Sequence, residues 1–111
     1  MLYNEKNNSI LICNWGSNAK IQSYDLTNLS LKTLITTKLS NLDGLARDNC
    51  GNIYLSSWGS NSVYVFDSLF QKAPTKISKG HSGPADISIN TKEQVLAIPN
   101  FNSNTLSFVN L

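Results

Sequence analysis

Asn14-Trp15-Gly16-Ser17-Asn18 returns as Ser57-Trp58-Gly59-Ser60-Asn61, and again as Asn100-Phe101-Asn102-Ser103-Asn104. The aromatic residue falls at positions 15, 58 and 101, so both intervals are 43 residues, and a Ser-Asn pair keeps step at 17-18, 60-61 and 103-104. Self-similarity at such a period marks a repeat architecture, whose unit cannot bury its apolar face alone and stacks on copies of itself.

Local patterns choose the kind of repeat. In the best-preserved copy, residues 52–57 (Asn-Ile-Tyr-Leu-Ser-Ser) and 62–67 (Ser-Val-Tyr-Val-Phe-Asp) are rich in β-branched and aromatic residues and flank the Trp58 turn, which reads as two strands and a hairpin. Upstream, Asp48-Asn49-Cys50-Gly51-Asn52 gathers residues that tolerate left-handed backbone or bond their own main chain, so residues 44–47 form a strand that turns back there. Its composition approaches a calcium loop, but with one carboxylate it reads as a turn. Downstream, residues 75–78 follow Pro74, which suits an edge strand. No segment carries an apolar stripe at helical spacing. Four short antiparallel strands per unit predict an all-β chain, an incomplete β-propeller built of four-stranded blades. Residues 1–43 are expected as a partial first blade with a truncated opening strand, 44–86 as a complete blade and 87–111 as a partial third blade. That is about 2.6 repeats, too few to close a ring, and the open blade faces predict self-association.

Composition narrows the partners. A hydrophobic fraction of 41% with 14% charged residues fits a packed chain and not a disordered one. The net charge of +2 is scattered, without a basic run, so no nucleic acid is expected. No apolar run approaches the roughly 18 to 20 residues of a membrane helix, so no membrane is expected either. Met1-Leu2-Tyr3-Asn4-Glu5 lacks a signal-peptide pattern; an exported parent would carry its signal upstream. Cys13 and Cys50 lack C-x-x-C spacing and read as free thiols that do not mark a compartment.

Blade geometry indicates where function concentrates. Strands alternate in direction, so the turn between second and third strands shares a face with the connection from one blade to the next. Trp15, Trp58 and Phe101 therefore share a face with Asp43, His81 and Asp86, and a small-molecule or protein ligand is expected there. Each has two readings. The repeated aromatics pack blade on blade or face a ligand; Asp43, before a Gly, shapes a turn or binds a metal; His81, the only histidine, is a turn residue or a base; Asp86 caps a turn or faces the ligand. There is no phosphate loop, zinc cluster or nucleophile elbow.

The stretch Asn41-Leu42-Asp43-Gly44-Leu45-Ala46-Arg47-Asp48-Asn49-Cys50-Gly51-Asn52-Ile53-Tyr54-Leu55, continued by Asn61-Ser62-Val63-Tyr64-Val65-Phe66-Asp67, resembles the unit shared by NHL repeats and the six-bladed propellers of the senescence-marker-protein (SMP-30), gluconolactonase and luciferin-regenerating-enzyme group. The resemblance covers nearly the whole chain. For the lactonase members it implies a divalent cation (calcium, zinc or manganese) held by a glutamate, an asparagine and an aspartate, with Asp43 in the position of the aspartate and Leu42 where a proline is usual. Such a cation polarises a lactone carbonyl and lowers the pKa of bound water. The other two ligands have no match here. Two functions follow: a noncatalytic propeller whose loop face binds a ligand or protein, or part of a metal-dependent lactone hydrolase whose remaining ligands lie on other blades.

Overall fold

The structure, a computed structural model, describes residues 1–111. Strands β1 (Leu2–Asn4), β2 (Ser9–Cys13), β3 (Lys20–Asp25) and β4 (Ser30–Thr36) form one antiparallel sheet in sequential order, with a 3-10 turn (Glu5–Asn7) after β1. Strands β5 (Leu42–Arg47), β6 (Ile53–Ser57), β7 (Ser62–Phe66) and β8 (Thr75–Lys79) repeat the arrangement. Strands β9 (Ser88–Asn90), β10 (Val95–Asn100) and β11 (Thr105–Asn110) make a three-stranded third sheet. There is no α-helix.

The period-2 alternation of the central sheet explains how the three stack. Leu45, Ile53, Leu55, Tyr64 and Phe66 point one way and meet Leu11, Ala19 and Ile21 of the first sheet. Their neighbours in sequence, Ala46, Tyr54 and Val63, point the other way and meet Ile87, Leu96 and Ile98 of the third. Both faces of β6 and β7 are therefore covered, and Ile53 through Ser57 are buried without a break. Leu55, Val63, Ile21, Leu96 and Ile98 are fully enclosed, each contributing on the order of 1.5–3 kcal/mol of burial.

Polar groups caught in this packing are satisfied. Ser56 Oγ accepts from Gly44 N (2.7 Å) and donates to Ala85 O (2.8 Å), linking the second sheet to the approach of the third. Ser57 Oγ donates to Ser40 O at 2.8 Å. Thr37 Oγ1 donates to Ala19 O at 2.7 Å. No buried side-chain nitrogen or oxygen lacks a partner, as stable interiors require.

One local expectation changes. Strand β5 begins at Leu42, not at residue 44, so Asp43 lies within a strand and not in a connection. Leu42 is buried and pairs with Ser57, and the ladder then shifts before Leu45 pairs with Leu55. The Ser56 hydroxyl, taking Gly44 N, replaces the missing ladder bond across this bulge. A Cβ at Gly44 would run into the backbone of Ala85, Asp86 and Ile87, the segment that leads into β9 of the adjacent sheet.

Candidate binding face

Each turn that follows a second strand is closed by asparagine in left-handed backbone: Asn18 (φ 45°), Asn61 (φ 48°) and Asn104 (φ 53°). Asparagine accepts this conformation better than most side chains, which accounts for its return at a fixed offset from the aromatic. Neighbouring turns are then latched together. Gly16 N donates to Asn41 Oδ1 (3.1 Å), Asn41 N to Gly16 O (3.0 Å) and Trp58 N to Asn41 O (2.9 Å). Across the next boundary, Phe101 N donates to Gly83 O (2.9 Å) and Asn102 N to Ser82 O (3.1 Å).

These latches set three aromatic rings in a row. Trp15 and Trp58 lie 5.5 Å apart between centroids at 69°, an edge-on contact, and Trp58 and Phe101 lie 5.5 Å apart at 40°. Trp58 is half-buried between the other two. Trp15 is 61% and Phe101 68% exposed, so the row packs ring on ring across the sheets while its ends open to solvent.

Asp43 joins the row from beneath. Its Oδ2 accepts from Trp58 Nε1 at 3.0 Å, and its backbone oxygen accepts from Cys13 Sγ at 3.0 Å. Burial, the largest influence on Cys13, pushes its thiol up to about 11, so the sulfur stays protonated and is no thiolate nucleophile at neutral pH. Cys50 is exposed, and both cysteines are free. His81 sits at the second boundary. Asn100 turns its Nδ2 toward Thr105 Oγ1 and Ser107 Oγ, leaving Oδ1 for His81 Nδ1 at 3.1 Å; Ser78 Oγ lies 2.7 Å from Nε2. An acceptor opposite Nδ1 selects the Nδ1–H tautomer, with Nε2 accepting from Ser78. Asp86 stands apart: it is exposed, with no side-chain hydrogen bond, and lines a cleft of about 420 Å³ with Leu2, Leu45 and Ile87 of the first-strand segments.

The structure thus brings together Trp15, Trp58, Phe101 and Asp43, ties His81 to Asn100, the residue before Phe101, and leaves Asp86 outside the row. Asn41 and Asn100, which tie the elements to one another, are the residues that sequence reasoning passed over. The only signal at Asn41 is an asparagine at a tight connection. No group of three or more His, Cys, Asp or Glu residues converges.

No protein-family model matches the chain, and no curated protein matches it. A chain from the crystal structure of a nidogen/laminin complex does match in structure, with a TM-score of 0.77 and 13% identity over 96% of this chain. The fold is that of an incomplete β-propeller. The match takes in 40% of the nidogen/laminin-complex chain, and at this identity the likeness concerns fold alone. What the propeller frame presents here is an aromatic row backed by one carboxylate, an arrangement suited to noncovalent recognition.

Proposed function

We propose that this chain supplies blades to a β-propeller binding scaffold, and that the face bearing Trp15, Trp58 and Phe101 holds a segment of a protein partner. The observation that carries this reading is the aromatic row itself, preordered by the Asn41 and Gly83 latches and open at Trp15 and Phe101. Aromatic side chains offer large contact area at little loss of conformational freedom, which is why they dominate protein interfaces. The propeller of known structure that this chain resembles was solved as a protein complex, which supports the same choice. Kinship with NHL repeats and the SMP-30 group belongs to this proposal, supported by the run from Asn41 to Asp67. So do the partial, complete and partial blades, with the first boundary moved from 43/44 to just before β5 at Leu42 and the second kept at 86/87, and a six-bladed ring: about 2.6 repeats against 40% of the matched chain leave room there for about six blades. The proposal assigns this chain no catalytic role.

Both tryptophans of the chain lie on this face, so their emission reports on it directly. Peptides selected from a displayed random library on the immobilised chain are titrated against it in solution. The expected result is a change in tryptophan emission on binding, and at least about tenfold weaker affinity for the Trp15→Ala/Phe101→Ala variant, since two interface anchors are worth more than about 1 kcal/mol each. Peptides that bind without altering emission and tolerate the double substitution would refute the assignment.

A further inference from the structure

The first and third sheets each turn one face away from the central sheet, and an apolar row crosses each of these faces. On the first sheet, cross-strand register aligns Tyr3, Ile10, Tyr24 and Leu31 in one row. None of the four belongs to either core, and Tyr3 is 55% and Leu31 57% exposed. On the third sheet, Ala97 pairs with Phe108 and Pro99 with Leu106; Phe108 is 66% and Leu106 54% exposed.

The repeat identifies what these faces are. In the central sheet, the row in register with Tyr3–Ile10–Tyr24 is Arg47–Ile53–Phe66, whose Ile53 and Phe66 pack against the first sheet. The row in register with Ala97–Phe108 is Tyr54–Val65, which packs against the third. The two outer faces are therefore the leading and trailing halves of an interface that the chain already forms twice within itself. Stacking sheet three on sheet one would form it a third time, but one copy cannot do so, because closed propellers have about four to eight blades and this chain has three sheets. Two copies carry six and three copies nine, so two is the number that closes. A head-to-tail contact makes a ring when its rotation closes, and the superposition on a propeller over 96% of the chain indicates that the sheets already have the rotation of one.

We infer that two copies of this 111-residue chain associate head to tail, the Phe108 face of each on the Tyr24 face of the other, to form one six-bladed ring. The inference rests on sheet faces and does not depend on the aromatic row binding a partner.

Multi-angle light scattering on the purified chain tests it, with twice the protomer mass of 12.2 kDa expected. Phe108→Glu and Tyr24→Lys each remove both interfaces from a homodimer and should give monomers. Mixed in equal amounts they should return to dimer mass, because the mixed pair keeps one native interface and sets Glu against Lys at the other. Far-UV circular dichroism checks that each variant keeps its strands; Leu106→Glu and Leu31→Lys, at exposed positions, serve as the second pair if it does not. A monomeric wild-type chain at several hundred micromolar, open polymers, a dimer that survives the single substitutions, or a folded mixture that stays monomeric would each overturn the inference.

Discussion

Removing the contact between Asp43 and Trp58 tests how the aromatic row is held. The indole Nε1–H donates to Asp43 Oδ2 at 3.0 Å, and Trp58 has ring neighbours on both sides. A hydrogen bond to a charged group contributes about 1.5–3 kcal/mol. Asp43 is only partly buried, and solvent screening reduces that to about 1–2 kcal/mol. The perturbations are Asp43→Ala, Trp58→Phe and the pair, arranged as a double-mutant cycle. Asp43→Ala leaves a half-buried donor unpaired; Trp58→Phe keeps an aromatic ring but removes the donor. The expected coupling is about 1–2 kcal/mol, or about 4–8 °C of melting temperature for a chain of this size. Urea and thermal unfolding of the four proteins measure it, with circular dichroism as the common signal. Single-mutant losses that add to the double-mutant loss within about 0.5 kcal/mol would refute the reasoning. If the wild-type chain then bound calcium, zinc or manganese in a titration and Asp43→Ala did not, the carboxylate would have the role implied by the lactonase resemblance.

Two further substitutions probe the frame. Gly44→Ala sets a methyl group against the backbone of Ala85, Asp86 and Ile87 and should cost about 1–3 kcal/mol or more, read as a lower urea midpoint; a neutral effect would mean that adjacent first strands are not in contact. Asp48 accepts from Cys50 N, Asn52 N, Asn52 Nδ2 and Tyr54 Oη. Burial is the largest single influence and raises its pKa, but these hydrogen bonds together outweigh it and hold the carboxyl below its usual 3.8. A depressed folded-state pKa gives stability that is present above pH 3.8 and is lost as pH falls through the lower folded value. Asp48→Asn should therefore unfold at a lower urea concentration than wild type at pH 7, with the gap narrowing below pH 3.8; a gap unchanged at pH 2 would contradict this.

The fold was legible because its signals are local. The asparagine that takes positive φ stands three residues after each aromatic, the alternation of Ile53, Tyr54 and Leu55 assigns each to one of two faces, and Asp48 with Gly51 closes its hairpin within five residues. What escaped the sequence depends on contacts distant along the chain. The start of β5 at Leu42 is decided by the Ser56 hydroxyl and by the closeness of residues 85–87 to Gly44. Face-sharing placed Asp43 near the aromatics, but its bond to Trp58 depends on the bulge that carries the carboxylate within reach. His81 likewise gains its two partners from different sheets, a pairing that no spacing within one repeat encodes.

The aromatic at 15, 58 and 101 had two readings, packing and recognition, and the geometry makes them compatible. Trp58 contacts a ring on either side, whereas Trp15 and Phe101 each contact one and leave most of their surface open. Aromatic pairs at such distances contribute about 0.5–1.5 kcal/mol beyond area burial, so the middle ring is chiefly structural and the end rings are available. Their availability depends on assembly. In a ring closed by two copies, Phe101 of one copy and Trp15 of the other occupy adjacent blade positions, and two open rows of three become one circuit of six on one face of the ring. A partner would then meet a continuous aromatic collar, and the bound segment would have to approach along the ring axis. Binding and association should consequently be coupled: a peptide that engages the collar favours the closed pair by mass action, so the dimer should tighten as the peptide is added.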